Sequence, residues 1–323
     1  MNTALHDDIY RLVHAGKIQS QHTKKNVLIS SVTRINMTDP IDFYEAGSGM
    51  YSGNRFFWVD AKRNITFVGL GLAMKYVPSG ISNRYQSVNN AWQEILKHAI
   101  VTEDAPEHAG PIFFGGFSFD PENKRTKLWS HFPQTLFMIP QYMLTVTNDT
   151  AWLTTNQLIT PDGDHNEHMD VHPPQHLLSP APFKRKTVTV WHKEEIHPSD
   201  WLTAVEQAAK RVQQQHLDKV VLARELRLYA RDSFAAAPVI ERLILDQPDS
   251  YIFAFEQGDD CFIGATPERL IKKKGIQFLS TSLAGSIARS DTETEDTALG
   301  QALLKDGKNL LEHSLAVQMI KEA

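Results

Sequence analysis

This chain of 323 residues has a single cysteine, no excess of basic residues and no long apolar run. One cysteine, Cys261, cannot form a disulfide within the chain or a cysteine-rich zinc module. Lys and Arg total 33 against 38 Asp and Glu, and the net charge of −5 argues against a nucleic-acid-binding protein. No apolar run reaches about 18 residues, so no membrane span is predicted. Because the first residues carry acids and form no unbroken apolar segment, we expect a cytoplasmic protein without a secretory signal.

The composition is typical of a globular protein, with 41% apolar and 22% charged residues, and the length suggests about two domains or one large one. Aromatic and β-branched segments bounded by turn residues predict a β-rich N-terminal lobe over 1–155. A stretch dense in Pro, His and acids predicts a connector over 156–194. Alternating helices and strands predict a C-terminal lobe over 195–323.

The connector also contains acidic and histidine residues that must be weighed as a metal site. Their spacing matches neither a zinc protease nor an EF-hand, whose loop needs a glycine at its sixth position. We therefore favour a solvated loop. The residues concerned are Asp162, Asp164, His165, His168, Asp170, His172 and His176.

The segment from Lys219 to Tyr229 is predicted to be a strand that follows a helix over about 200–215. Alternation puts Val220 and Leu222 on one face and Lys219 on the other. A lysine entering an apolar strand is a candidate general base, because a desolvated amine loses its charge more readily. The alternative is a lysine whose ammonium reaches water at a strand end, and the pattern alone favours that alternative.

Two carboxylates stand out further along the chain. Glu268 follows a strand ending at Thr266 and a proline, so its carboxyl is presented at a rigid turn, as a general acid would need. Glu312 lies in a predicted helix, one turn from Asn309 on the same face. A helix carboxylate of this kind is a typical ligand for a hard cation, although a solvated helix face explains it equally well.

Four strings carry a resemblance to a known family. KVVLAR, GATPERL, STSLAGS and LLKDGKNLLEH begin at Lys219, Gly264, Ser280 and Leu303, and in this order they resemble the chorismate-utilising enzymes. The N-terminal string FFGGFSFDP resembles the isochorismate synthase branch of that family. Members that add water carry a lysine where Lys219 stands, and aminodeoxychorismate synthases carry a nucleophilic lysine where this chain has Ala284. Isochorismate synthase is therefore favoured, with salicylate synthase as the next choice.

The resemblance implies roles for the residues that match the motifs. Lys219 would activate water for attack on C2 of chorismate, and Glu268 would protonate the departing C4 hydroxyl. Glu312 would help to hold Mg²⁺ at the substrate carboxylate. The substrate would lie against Thr266 and the backbone of Leu283, Ala284 and Gly285. The implied fold is α+β, with packed antiparallel sheets, outer helices and the two lobes forming one chorismate-binding domain.

The chain also departs from the family pattern. It ends within helical sequence, whereas family members continue, so we expect a fold that is incomplete at its C-terminus. One carboxylate is a sparse Mg²⁺ site, and unpaired sheet edges favour aggregation. We therefore expect this polypeptide to have little or no synthase activity. A non-catalytic protein that retains the ligand pocket is a third hypothesis, and the long N-terminal part slightly favours a menaquinone-type enzyme.

Overall fold

A computed structural model of the protein describes residues 2–163, 173–184 and 188–322. Most of the acidic and histidine residues that we weighed as a metal site in the connector lie outside the described residues. The helices are α1 (Asn2–Thr23), α2 (Pro40–Ala46), α3 (Arg84–His98), α4 (Gln175–Leu178), α5 (Pro198–Gln213), α6 (Ala236–Asp246), α7 (Glu293–Leu303) and α8 (Gly307–Glu322). The strands are β1 (Val27–Ile35), β2 (Arg55–Val59), β3 (Ile65–Leu70), β4 (Met74–Tyr76), β5 (Ile100–Val101), β6 (Phe114–Phe117), β7 (Thr135–Ile139), β8 (Tyr142–Thr147), β9 (Ala151–Ile159), β10 (Val190–Glu195), β11 (Leu226–Ala230), β12 (Tyr251–Gln257), β13 (Asp260–Thr266), β14 (Lys272–Lys274) and β15 (Gln277–Leu279).

The chain divides into two compact units. The first unit comprises Met1–Arg185 and Ala235–Pro267, and the second comprises Lys186–Phe234 and Glu268–Ala323. Each unit is therefore built from two separate stretches of chain. The lobes that we predicted at 1–155 and 195–323 are each one continuous stretch of chain. This division into lobes stays a prediction.

The first unit contains an eight-stranded sheet in the order β13-β12-β2-β3-β8-β9-β1-β5. Its pairings are antiparallel except that β1 and β5 run parallel. A three-stranded antiparallel sheet in the order β4-β7-β6 belongs to the same unit. These sheets and helices confirm the α+β class that we expected. The strand β9 extends to Ile159, past the predicted start of the connector, because it pairs with β1 as far as Val27.

Successive side chains along these strands point to opposite faces of the large sheet, and apolar side chains on both faces form the core of the first unit. On one face, Phe57, Val68 and Leu144 pack with Phe43 of α2 and Ile240 of α6, all of them buried. Helix α2 begins at this face because Asp39 caps it by accepting hydrogen bonds from the amides of Ile41 and Asp42. A second cluster joins the large sheet to the small one through Phe56, Leu136, Met138, Met143 and Phe255. Burial of these side chains is the main source of the unit's stability.

A charged network is buried within this core. The Arg55 guanidinium donates to both carboxylate oxygens of Glu256, at 2.8 and 2.7 Å. The Tyr44 hydroxyl donates to the same carboxylate at 2.7 Å, and the Gly53 amide does so at 3.1 Å. Burial raises the pKa of Tyr44 far above its usual value, so that residue stays a neutral donor. The network ties β12 to β2 and α2, and its carboxylate is fully satisfied.

The second unit is built from short elements. It holds the antiparallel pairs β10-β11 and β14-β15 together with α5, α7 and α8. Helix α5 confirms the predicted helix, and Trp201, Val205 and Ala208 are the less exposed residues of its apolar face. Within 188–234 and 268–322, no residue is buried. The sequence-predicted catalytic and metal-binding residues belong to this unit.

Candidate functional site

Lys219 and Glu312 form an ion pair in the second unit. Lys219 Nζ lies 3.0 Å from Glu312 Oε1, and the two side chains are 36% and 38% exposed. The residues are distant in sequence, so this contact depends on tertiary structure and differs from a helical i,i+4 pair. The structure thus brings together the residue predicted to be the base and the residue predicted to bind the metal.

The prediction that Lys219 begins a strand is wrong. The strand β11 starts only at Leu226, where its pairing with Glu195 of β10 begins, and Lys219 lies in an irregular segment before it. Alternation of Val220 and Leu222 does not bury one face, since these side chains are 44% and 37% exposed. Lys219 therefore reaches Glu312 from a loop, and it does not emerge from a sheet.

Helix α8 presents Glu312 and Asn309 one turn apart, as predicted. The backbone N–H of Asn309 donates a hydrogen bond to Asp306 Oδ1 at 2.8 Å, and Asp306 thereby caps the start of the helix. Glu312 is partly buried on this helix, and Leu311 beside it is 62% exposed. The two side chains offer carboxylate and amide oxygens, which are the ligand types that hard cations take.

The segment Leu283–Gly285 runs without regular secondary structure and reaches α8 at one point. Gly285 has φ +76°, and a β-carbon added there would lie 2.8 Å from Asn309 Cγ. A side chain is therefore excluded by backbone conformation and by contact with α8. Sequence analysis predicted close backbone approach here, but toward a substrate. The contact with Asn309 was missed because the two residues belong to different motifs.

The irregular stretch continues beyond Gly285 to Arg289, which forms an ion pair that was not predicted from the sequence. The Arg289 guanidinium donates two hydrogen bonds to Asp296, at 2.7 and 2.6 Å. The Asp296 carboxylate also accepts from the Ser290 amide at 3.1 Å. These hydrogen bonds, chiefly those from Arg289, lower the pKa of Asp296. The acidic residues at the start of α7 were the available signal, because a helix N-terminus favours such carboxylates.

Glu268 and Thr266 occupy different units. Thr266 ends β13 in the first unit and is partly buried. Glu268 is exposed between β13 and β14 and belongs to the second unit. The described contacts join Lys219 to Glu312 and place Gly285 against Asn309. The roles of Glu268 and Thr266 stay predictions.

By resemblance, Glu312 would be a ligand for Mg²⁺. Among the described residues, no three His, Cys, Asp or Glu side chains cluster closely enough to hold a metal ion. Glu312 offers one carboxylate, and in this structure that carboxylate is paired with Lys219.

In the ranges that the structure describes, no helix is both long and apolar enough to cross a bilayer.

Curated proteins similar to this chain include two bacterial isochorismate synthases. It is 40% identical over 306 residues to the isochorismate synthase MenF of Bacillus subtilis, covering 92% of this chain and 64% of that protein. It is 29% identical over 312 residues to the salicylate biosynthesis isochorismate synthase of Pseudomonas aeruginosa, covering 94% of this chain and 63% of that protein. The chain thus spans slightly under two thirds of the length of these relatives.

A solved structure has a similar fold. The menaquinone-specific isochorismate synthase MenF of Escherichia coli superposes with a TM-score of 0.66 and 22% identity, covering 96% of this chain and 67% of that structure. This likeness confirms the expected fold. The sequence profile described as "chorismate binding enzyme" matches residues 13–323. Because that match covers nearly the whole chain, the protein belongs to the chorismate-binding enzyme family.

Proposed function

We propose that the chain is an isochorismate synthase that converts chorismate to isochorismate with the help of Mg²⁺ and serves menaquinone biosynthesis in the cytoplasm. The observation that carries this proposal is the 40% identity over 92% of the chain to the isochorismate synthase MenF of Bacillus subtilis. Lys219 supports it, because by resemblance a lysine at this position distinguishes the family members that add water.

The reaction adds water at C2 and expels the C4 hydroxyl. Water is a weak nucleophile at neutral pH unless a base removes a proton as it attacks, and Lys219 is the proposed base. Hydroxide leaves poorly unless it is protonated, and Glu268 is the proposed acid. The exposed position of Glu268 suits a group that exchanges protons with solvent between turnovers.

Substrate binding is assigned to the backbone of one irregular segment and to one threonine hydroxyl. Leu283, Ala284 and Gly285 lie in an irregular segment, where backbone amides are not used up by secondary structure. Thr266 would contribute a hydroxyl from the end of β13. Glu312 would hold Mg²⁺, which when bound would neutralise a substrate carboxylate that a net acidic protein otherwise repels.

The test is a product assay with chorismate and Mg²⁺, in which isochorismate is separated from salicylate and pyruvate. Robust isochorismate formation by the unmodified chain would overturn the expectation of little or no synthase activity. Whatever rate is measured, we expect kcat to drop at least about 10²-fold for Lys219→Ala and for Glu268→Gln. Lys308→Met serves as the matched control, because Lys308 is exposed on α8 and has no assigned role. Circular dichroism should show that all variants fold.

Other outcomes would contradict the proposal in distinct ways. Near-normal turnover in either catalytic variant would overturn the residue assignments. Formation of salicylate and pyruvate would identify a salicylate synthase. If no product forms while chorismate raises the melting temperature, the chain is a ligand-binding protein without turnover.

A further inference from the structure

Over its first two turns, helix α8 directs polar side chains inward and apolar side chains outward. Asn309 and Glu312 are partly buried, whereas Leu310 and Leu311 are 48% and 62% exposed. A helix normally docks through its apolar face, so packing of these leucines does not explain the orientation. Asn309 and Glu312 lie one turn apart on a shared face, and each contacts a segment that is distant from α8 in sequence.

The first of these contacts joins α8 to the segment Leu283–Gly285. A β-carbon added to Gly285 would lie 2.8, 2.9 and 3.0 Å from Cγ, Cβ and Oδ1 of Asn309, so the asparagine side chain covers the α-carbon of the glycine. The φ of +76° at Gly285 also favours glycine. Because the segment has no regular secondary structure, its position depends on tertiary contacts of this kind.

The second contact brings Lys219 to the same face of α8. Its Nζ lies 3.0 Å from Oε1 of Glu312, which is three residues beyond Asn309 and so about 4.5 Å further along the helix axis. Asn309 is itself fixed at the start of the helix, where its backbone N–H donates to Asp306 Oδ1 at 2.8 Å. The helix therefore holds the Lys219 ammonium and the segment Leu283–Gly285 about one turn apart.

We propose that Asn309 is a positioning residue, which seats the segment Leu283–Gly285 on α8 and thereby sets its distance from Lys219. The inference rests on the proposed function, because that function places the substrate on this segment and assigns the base to Lys219. A base acts only within hydrogen-bond reach of the proton that it removes, and a misplacement of about 1 Å can lower a rate about 10²-fold. Asn309 needs no contact with the substrate for this role.

The first experiment measures amide ¹⁵N order parameters of the full chain without substrate. We expect values of about 0.85 at Leu283, Ala284 and Gly285 in the unmodified chain, and values below about 0.6 in Asn309→Ala, because the side chain that covers Gly285 is lost. Asn309→Asp keeps the shape of the side chain and should retain the high values. Leu310→Ala is the matched control, since Leu310 is the exposed neighbour on α8, and it should leave the values unchanged.

The second experiment separates positioning from binding by steady-state kinetics with chorismate. Relative to the rate of the unmodified chain, we expect Asn309→Ala to lower kcat at least about tenfold and to change KM by less than about threefold. Leu310→Ala should change neither constant by more than about twofold. A rise in KM at unchanged kcat would overturn the inference, because Asn309 would then contribute to binding alone.

The two experiments distinguish failure of this inference from failure of the proposed function. Order parameters that stay high in Asn309→Ala would overturn the inference even if the unmodified chain forms isochorismate. An equal loss of order in Leu310→Ala would also overturn it, because the effect would then be a general loosening of α8. If no isochorismate forms, the proposed function fails, while loss of order in Asn309→Ala and its retention in Asn309→Asp would still support the seating of the segment by Asn309.

Discussion

The two units differ in how their residues are protected from water. The first unit contains all three hydrophobic clusters among the described residues, with side chains such as Phe43 and Met143 fully buried. The second unit has no buried residue in 188–234 or 268–322, and large apolar side chains such as Leu270 and Ile276 are 88% and 94% exposed. Apolar burial drives folding, so the first unit carries most of the stability.

Most of the candidate site residues lie in the unit that has no buried residues in the ranges given above. Lys219, Glu268, Glu312 and the segment Leu283–Gly285 all belong to the second unit. In the first unit, Arg55 and Glu256 are paired inside the core, and the Glu256 carboxylate already accepts hydrogen bonds at both of its oxygens. Charged groups in the second unit remain partly exposed and exchangeable. Substitutions at the candidate site are therefore expected to affect function more than folding.

Amide hydrogen exchange tests this contrast most directly. Opening free energies range from near zero in loosely packed segments to the global stability in cores. We expect amides in β2, β3 and β8 to be protected at least about 10³-fold more than those in α8, when each is measured against its intrinsic rate. Equal protection in α8 and in the large sheet would contradict the contrast.

Breaking the buried ion pair should have the next largest effect. Glu256→Gln keeps the shape of the side chain but leaves the Arg55 guanidinium buried without its counter-charge. We expect a loss of about 3–5 kcal/mol in the free energy of unfolding, measured by urea denaturation. Glu312→Gln is the matched control, because it removes a carboxylate from a partly exposed pair and should cost at most about 1 kcal/mol. Similar losses for both variants would show that the two pairs are equivalent.

Local patterns in the sequence account for much of the fold. The helix α5 follows the periodicity of its apolar residues, and strands such as β2 and β8 follow their β-branched and aromatic content. Lys219 shows where this reasoning fails. Its alternating neighbours predict a strand, but a strand needs a partner, and the pairing of β11 with β10 begins only at Leu226.

The candidate site shows a second limit of the sequence. Motif resemblance identified Lys219, Glu312 and Gly285 as separate elements with separate roles. It did not predict that Lys219 pairs with Glu312 or that Gly285 lies against Asn309, because both contacts join distant segments. The same holds for Arg55 and Glu256, which are 201 residues apart. Tertiary contacts between charged residues leave no periodic trace in the sequence.

The reactivity of Cys261 provides a test in the first unit whose expected effect is smaller. Desolvation, with Glu256 nearby, raises the pKa of this thiol to about 12, although the residue lies on the exposed edge strand β13. Because the thiolate is the reacting species, we expect alkylation by iodoacetamide at pH 8 to be at least about tenfold slower in the native protein than in urea. The raised pKa also implies that stability falls as pH rises above the ordinary thiol pKa of about 8.5. Equal alkylation rates in both states would show that the thiol is not protected.

Substitution of Gly285 should have a smaller effect on folding than Glu256→Gln, and the effect should be local. With φ at +76° and Asn309 Cγ at 2.8 Å from an added β-carbon, Gly285→Ala must shift the backbone or the asparagine. We expect a local cost of about 1–2 kcal/mol, seen as faster amide exchange in α8 with no change in the large sheet. Gly300→Ala is the control, since its β-carbon would meet no atom within 4 Å and alanine favours the helix α7. Faster exchange in the large sheet of Gly285→Ala would mean that the candidate site and the core are energetically coupled, and that the division of stability and chemistry between the units does not hold.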